Sequence, residues 1–118
     1  MAKLERKLYQ ILKQSNTDIL LDRIENWAVP GVPDLLCFNK NKIFFTLELK
    51  ATIGNKVRFS PHQVSWHLRH DQRAFILVAR FSDRGKKATV AKMQHVGGLS
   101  IDEIIKYLSG LGAKAPSP

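Results

Sequence analysis

The sequence predicts an α/β fold in which a mixed central sheet is flanked by helices. Three observations predict this class: an amphipathic helical pattern at the start, apolar runs of strand length in the middle, and helix-capping signatures before two later segments. With 118 residues, 44% of them apolar, the chain fits a single domain with one core. We expect this domain to span residues 1–109, followed by a flexible C-terminal tail over residues 110–118.

The first half of the chain predicts a helix, a strand and a β-hairpin, in that order. Residues 3–14 carry apolar side chains at helical spacing along one face. Residues 19–25 predict a short strand. The apolar runs at residues 31–38 and 43–50, joined by the polar turn at residues 39–42, predict two antiparallel strands.

A second helix is predicted over residues 61–69. Ser60 has the form of an N-cap, and Pro61 stands at the first helical position, where its missing N–H costs nothing. We expect the larger apolar side chains of this helix to pack it on the sheet, namely Val64, Trp66 and Leu68.

The remaining elements are two strands and a last helix. Residues 73–80 form a continuous apolar run between two arginines, a pattern typical of a central strand covered on both faces. Residues 88–93 predict a further strand. Ser100, with Glu103 three residues later, forms a capping box that begins a helix running through Leu108. This order of elements is that of a central sheet with helices on its faces.

Three ionisable side chains interrupt the predicted hairpin. Glu48 and Lys50 are two residues apart in one strand, so they share a face, and antiparallel pairing brings Asp34 beside them. Buried charges are costly unless they are paired or bound to a metal, and Mg²⁺ is commonly held by one or two carboxylates with waters and phosphate oxygens. From the residues alone, both a nuclease site and a structural ion pair on a solvated strand stay open.

At these residues the sequence resembles the PD-(D/E)xK nuclease superfamily. Pro33 and Asp34 supply the PD, and the ELK at residues 48–50 supplies the ExK. The wider context, GVPDL at residues 31–35 and SPHQ at residues 60–63, resembles more narrowly the VRR-NUC group, which is related to the archaeal-type Holliday junction resolvases. The resemblance implies a restriction-endonuclease-like fold, metal-dependent cleavage of DNA and a homodimer.

The resemblance also implies roles for individual residues. Lys50 is expected to orient the attacking water and to stabilise charge on the phosphate, and Gln63 to help hold the site in place. From the residues alone, a helical Glu5 is usually solvated and Gln63 could be a plain surface residue. In similar nucleases Mg²⁺ or Mn²⁺ is bound by three carboxylates and a backbone carbonyl, which correspond here to Asp34, Glu48, Glu5 and the carbonyl of Leu49.

The charge of the chain points to a polyanionic partner. The formal net charge is +9, and residues 40–92 hold twelve Lys or Arg against three Asp or Glu, which is 12 − 3 = +9 and accounts for the whole excess. Such a surface could bind DNA, RNA or anionic lipid. The candidate nucleic-acid contacts are Arg23, Lys56, Arg58, Arg69, Arg84, Lys86 and Lys87.

The sequence also bounds the cellular setting. No apolar run reaches membrane-spanning length and no signal peptide precedes the first helix, so we expect a soluble protein of the cytoplasm, in a bacterial or phage-infected cell, or otherwise intracellular. Cys37 stands alone within an apolar strand, which favours a buried thiol in a reducing compartment. Three histidines, His62, His67 and His70, match no zinc-binding spacing.

The leading hypothesis is therefore a Mg²⁺- or Mn²⁺-dependent DNA endonuclease that selects branched or structured DNA. Nicking or flap cleavage, or RNA-directed cleavage on the same core, fits the same residues. A rival from another class is a basic nucleic-acid-binding module without catalysis, in which Asp34, Glu48 and Lys50 are structural ions. Loss of cleavage with retained binding, on removal of Glu48 or Lys50, would separate the two classes.

Overall fold

The computed structural model describes residues 1–16, 18–24, 29–82, 92–94 and 98–113. These residues form an α/β structure with three helices and five strands. In chain order the elements are α1 (Lys3–Ser15), β1 (Leu20–Arg23), β2 (Leu35–Phe38), β3 (Phe44–Thr52), α2 (Pro61–Arg69), β4 (Ala74–Ser82), β5 (Lys92–Gln94) and α3 (Ile101–Ser109).

One mixed sheet runs through the molecule in the strand order β1-β2-β3-β4-β5. β2 is antiparallel to both of its neighbours, β1 and β3, whereas β3 and β4 are parallel, and β5 returns antiparallel to β4. The parallel pair is joined by α2, as a parallel connection requires a crossover. The α/β prediction is confirmed, and this order is compatible with a restriction-endonuclease-like core. β4 is an inner strand, as its apolar run predicts, since it pairs with both β3 and β5, while β3 holds the middle position.

The core lies on the face of the sheet formed by odd-numbered residues. There α1 and α3 contribute buried leucines and isoleucine that pack against the three central strands. Leu47 and Leu49 of β3 are 2% and 0% exposed. Cys37 is buried in the same layer, as expected, and burial raises the pKa of its thiol to about 12.

The opposite face of the sheet is covered only in part. Trp66 of α2 lies beside Leu36 and Thr46 on this face, whereas Val64 and Leu68 point away and are 47% and 76% exposed. The prediction that all three residues pack α2 on the sheet is therefore right for Trp66 alone. The expectation that β4 is covered on both faces is wrong for the same reason, since a helix of nine residues covers only part of the sheet.

The hairpin turn is attached to the end of α3. The side-chain amide of Asn39 donates to the carbonyl oxygens of Leu108 and Leu111, at 3.0 and 2.9 Å, and Asn41 also donates to Leu111, at 3.0 Å. These bonds satisfy carbonyls that a helix end leaves without partners. Residues 110–113 of the predicted tail thus form a hydrogen-bonded turn, and residues 114–118 lie outside the described residues. In the described parts of the chain, no helix has both the length and the apolar character needed to cross a membrane.

Candidate active site

The register of the hairpin places the two carboxylates on one face. Leu35 pairs with Leu47, so the next position along the same antiparallel ladder sets Asp34 opposite Glu48. Residues directly opposite each other in an antiparallel pair point to the same side of the sheet. Glu48 and Lys50 share that side because they are two residues apart. The three ionisable side chains therefore lie together at the beginning of β2, on the face that carries α2.

Asp34 is fixed by the backbone of the neighbouring strand. Its Oδ2 accepts a hydrogen bond from the N–H of Leu49 at 2.8 Å, and its own carbonyl accepts from the N–H of Ile24 at 2.9 Å. The backbone of residue 34 thus bonds toward β1 while its side chain bonds toward β3. This arrangement holds the carboxylate at the point where β2 begins.

Pro33 limits the hydrogen bonding opposite Leu49. In the antiparallel ladder of β2 and β3, every second residue pair is joined by hydrogen bonds, and the N–H of Asn39 donates to the carbonyl of Ile43 at 3.1 Å. The same pattern, continued past the start of β2, places Pro33 opposite Leu49. Proline has no N–H, so it cannot donate to the carbonyl of Leu49. The Leu49 carbonyl, which the resemblance predicts as a metal ligand, therefore receives no ladder bond from the proline of the motif.

Glu48 has one oxygen engaged and one without a partner. Oε1 accepts from Nε2 of Gln63 at 2.7 Å, whereas the buried Oε2 has no hydrogen bond among the described residues. The residue is 3% exposed. A buried polar atom without a partner costs free energy unless an unseen ligand satisfies it, so Oε2 is the natural candidate for a metal contact.

Lys50 is held by Gln63 and not by direct pairing. Its Nζ donates to Oε1 of Gln63 at 2.8 Å, while the distance from Nζ to Glu48 Oε1 is 3.9 Å. The same Nζ lies 5.0 Å from the ring centroid of Phe59. The side chain of Lys50 is 13% exposed, so the site reaches solvent mainly through Lys50 and the half-buried Asp34.

The orientation of the Gln63 amide follows from the cap of α2. The backbone N–H of Ser60 donates to Gln63 Oε1 at 3.0 Å, and Ser60 Oγ accepts from Gln63 N–H at 3.2 Å. A backbone N–H can only donate, so Oε1 must face it and Nε2 must face Glu48. One residue therefore completes a capping box and links Glu48 to Lys50.

Gly31 allows the loop before β2 to pass close to α2. Its φ is +88°, and a Cβ on this residue would lie 2.3 Å from the carbonyl oxygen of His62. Only glycine accepts both the left-handed conformation and this approach. The glycine of the motif thus brings the loop against the first turn of α2, and so brings Asp34 near Gln63.

Burial dominates the electrostatics of the two carboxylates. Burial, followed by the charge of Asp34, raises the pKa of Glu48 to about 7, and Lys50 and the backbone N–H of Asp34 only partly oppose them. Burial likewise raises the pKa of Asp34, against the lowering effect of the Leu49 N–H. The site therefore holds less negative charge near neutral pH than two ordinary carboxylates would.

Glu5 lies close to the pair without joining it. Its charge contributes to raising the pKa of both Asp34 and Glu48. Its Oε2, however, accepts from the N–H of Ala2 at 2.8 Å, in the first turn of α1. In the described residues no group of three or more His, Cys, Asp or Glu side chains is arranged to hold a metal ion.

The donor set still fits a hard divalent cation. Glu48 offers an unpartnered buried oxygen, Asp34 has a second oxygen beyond the one bonded to Leu49, and the carbonyl of Leu49 lies beside it. All three are oxygen ligands, and Mg²⁺ commonly takes one or two carboxylates and completes its shell with waters and substrate oxygens. Two carboxylates therefore suffice for Mg²⁺, and Glu5 would be an additional ligand.

The predicted nucleic-acid contacts lie in different places. Lys56 and Arg58 are exposed in the loop after β3, which leads directly to the site, and Arg69 is exposed in the last turn of α2. Arg23 pairs with Leu35 and therefore belongs to the opposite face, where its guanidinium lies 5.8 Å from the ring of Tyr9. The three other candidates, Arg84, Lys86 and Lys87, lie outside the described residues.

Sequence reasoning missed two groups at the site, the ring of Phe59 and the backbone N–H of Ser60. A signal for Phe59 was present, because an apolar residue before an N-cap often packs against the fourth helical residue as a hydrophobic staple. That signal would have assigned the ring to Val64, not to Lys50.

Comparison of the chain with protein-family models, with curated proteins and with solved structures gives no match.

Proposed function

We propose that this protein is a Mg²⁺- or Mn²⁺-dependent endonuclease that hydrolyses phosphodiester bonds in DNA. The PD-(D/E)xK pattern, the VRR-NUC-like context and the basic charge support the proposal. The observation that carries it is the link made by Gln63, which binds Glu48 and Lys50 at 2.7 and 2.8 Å while Glu48 keeps Oε2 free. A purely structural ion pair would be expected to close directly and would not need a buried oxygen without a partner.

The side chains would divide the work as follows. Asp34, Glu48 and the carbonyl of Leu49 would hold the cation, which when bound lowers the pKa of a water and neutralises phosphate charge. Lys50 would place its ammonium beside the attacking water and the phosphate oxygens. The water would lose a proton to solvent as its oxygen bonds to phosphorus, and the departing oxygen would take one from solvent as its bond to phosphorus breaks. Gln63 would hold the side chains of Lys50 and Glu48 in position throughout the reaction.

Substrate selection is proposed to follow the resolvase type. An enzyme of this type acts on branched or structured DNA, and it would act as a homodimer so that two sites can cut symmetric strands. Lys56 and Arg58 would contact backbone phosphates next to the site. Sedimentation velocity, with and without a four-way junction, measures the subunit number directly.

The decisive experiment is a cleavage panel with matched variants. Four-way junction, flap, bubble, duplex, single strand and RNA are incubated with Mg²⁺, Mn²⁺ or EDTA. Glu48→Gln keeps the size of the side chain and should lower the cleavage rate by orders of magnitude, as should Lys50→Met, because each removes charge that stabilises the transition state. Lys40→Met, in the exposed hairpin turn, is the charge-matched control and should cleave normally.

The outcomes separate the competing functions. Cleavage that needs metal and disappears in both site variants, with binding retained, supports the nuclease. Cleavage of RNA alone would replace DNA as the substrate. A wild-type protein that binds nucleic acid but cuts none of these substrates with either metal would establish the non-catalytic binding module instead.

A further inference from the structure

An exposed apolar surface lies directly beside the charged site. In the parallel β3–β4 ladder Glu48 is in register with Ile76, and Lys50 with Val78. In-register residues on neighbouring parallel strands lie side by side on the same face. Ile76 and Val78 are 41% and 47% exposed. At the two positions beside Glu48 and Lys50, β4 therefore presents aliphatic side chains, and the next residue of β4 on that face is Arg80, in register with Thr52.

Phe59 adds an aromatic ring to the same place. Its ring centroid is 5.0 Å from Lys50 Nζ, so one side of the ring contacts the ammonium, and the residue remains 37% exposed. The next residue, Ser60, donates its backbone N–H to Gln63. Ser60, which follows Phe59 directly, is therefore hydrogen-bonded to the site, and this bond limits how far the ring can move away from it. Phe59, Ile76 and Val78 together are called the apolar wall below.

The chemistry of the wall decides what can lie against it. A continuous duplex presents phosphates and sugars outward, and its base faces are stacked on each other. Charged phosphates gain nothing from Phe, Ile and Val. An unstacked base has a free π-face, and stacking on an aromatic side chain strengthens binding by about five- to 150-fold per base. Lys50, which contacts the ring, is also a proposed partner of the phosphate, so a base on the wall would belong to a nucleotide at or next to the cut.

We infer that the apolar wall binds an unpaired nucleobase adjacent to the phosphodiester that is cut, so that the cut strand is single-stranded or locally unpaired there. The inference rests on the proposed nuclease function for the position of the phosphate. A junction or flap is a substrate when its bases are unstacked at the cutting point. Fully paired DNA lacks the group that the wall recognises.

The test measures binding without cleavage. Labelled single-stranded DNA, and a fully paired duplex of the same sequence, are titrated with the full-length protein in EDTA. Phe59→Leu keeps an apolar side chain but removes the ring, and it should weaken binding of the single strand by about five- to 150-fold while duplex binding stays unchanged. Phe59→Trp should retain single-strand binding. Val78→Thr, which keeps the shape of the side chain but replaces one methyl group with a hydroxyl, should also weaken binding of the single strand.

The matched control is Phe44→Leu. Phe44 is also an exposed phenylalanine, at 59%, but it packs on Phe38 at the other end of β3. This variant should bind both DNAs like the wild type. Equal losses on both DNAs in Phe59→Leu, or no loss on either, would overturn the inference. So would a wild-type dimer that dissociates in Val78→Thr with single-strand binding intact, because the wall would then be a contact between copies.

Failure of the nuclease proposal would look different. A wild-type protein that cuts none of the panel but shows the Phe59-dependent preference for single strands would be a single-strand-binding protein, with the wall intact. If the protein cuts DNA in a metal-dependent manner, yet binds single strand and duplex alike in every variant, the nuclease proposal stands and the inference about the apolar wall is overturned.

Discussion

At Glu48, burial favours the protonated carboxyl group, whereas a bound metal ion would favour the ionised carboxylate. Gln63 donates to it and Lys50 lies 3.9 Å away, and both favour the ionised form. Burial and the charge of Asp34 outweigh them and raise the pKa of Glu48 to about 7. A divalent cation would reverse the balance, because it favours the charged form strongly. Without metal, ionisation of Glu48 lowers the free energy of unfolding, and binding of a cation would raise it again.

The stability of the metal-free protein should fall as the pH rises. The pKa of Glu48 is about 7 in the folded protein against an ordinary value of 4.5, so the folded state binds more protons between these two pH values. At 1.36 kcal/mol per pKa unit the loss is about 3 kcal/mol at most. Urea unfolding in EDTA at pH 5 and pH 8 measures it, and Glu48→Gln should remove most of the difference.

Asp71→Asn serves as the control for this pH dependence, because Asp71 is an exposed acid outside the site. It should leave the slope of stability against pH unchanged. Addition of Mg²⁺ should restore stability to the wild type at pH 8 and should do little for Glu48→Gln. His67, whose pKa burial lowers, changes stability in the opposite direction, so the decisive comparison is between variants. A wild-type protein whose stability changes between pH 5 and pH 8 by the same amount as that of Glu48→Gln would contradict the proposed burial of charge.

The meeting of Asp34 and Glu48 was predictable because a short turn leaves a hairpin little choice of register. The alternation of strands then assigns both side chains to one face. Two contacts were not predictable. The cation–π contact of Phe59 depends on how the loop after β3 returns to the sheet, and the position of Glu5 depends on how far α1 reaches along it. Both are tertiary features that no local pattern encodes.

At the scale of elements, α2 joins the site only through its first turn. Gln63 lies in that turn, and Gly31 lies against its backbone, with a would-be Cβ 2.3 Å from His62 O and 2.6 Å from His62 C. Backbone atoms cannot rotate away as a flexible side chain can. Any side chain at residue 31 must therefore move the loop or the helix, and with them Asp34 or Gln63.

Gly31→Ala should destabilise the fold and impair the site together. Both the positive φ and the backbone clash oppose a Cβ, so we expect a loss of more than about 1 kcal/mol of unfolding free energy. Metal-dependent cleavage should fall further than stability explains, because Gln63 would shift from Glu48 and Lys50. Urea unfolding and single-turnover cleavage, measured under conditions in which the variant is fully folded, separate the two effects.

Gly54→Ala is the matched control, since no atom lies within 4 Å of a Cβ at that position. It should leave both the unfolding midpoint and the rate unchanged. If Gly31→Ala unfolds at the same urea concentration as the wild type, the close approach of the loop to α2 does not constrain the protein.

The strands show where sequence patterns stop being informative. The run at residues 74–79 is apolar throughout, yet Leu77 and Ala79 are buried while Ile76 and Val78 are exposed. A continuous apolar run cannot reveal this, because it looks the same whether one face or both faces are covered. The length of α2, set by Pro61 and the end at Arg69, determines how much of the sheet stays open.

On the scale of the whole molecule, positive charge should control affinity for nucleic acid. The net charge of +9 arises from residues 40–92, that is, from the hairpin turn onward. Each phosphate contact releases counterions, so a plot of log affinity against log salt steepens by about 0.9 per contact for duplex DNA. Lys56→Ala with Arg58→Ala should reduce this slope by about 2 if both residues contact phosphates.

The control for the salt slope is a second double variant, Lys13→Ala with Lys106→Ala. These lysines lie on α1 and α3, the helices of the opposite face, and are exposed. The change in total charge is the same, so only position differs. Equal slopes for the two double variants would show that the loop after β3 makes no specific phosphate contact.

The burial of Cys37 sets the chemical vulnerability of the protein. It is the single cysteine in the chain, it lies in the central layer, and its thiol stays protonated at cellular pH. Oxidants and alkylating reagents attack the thiolate, so they can act here only after the core opens. The candidate site needs no sulfur, and changes in redox conditions therefore leave its chemistry untouched as long as the fold persists.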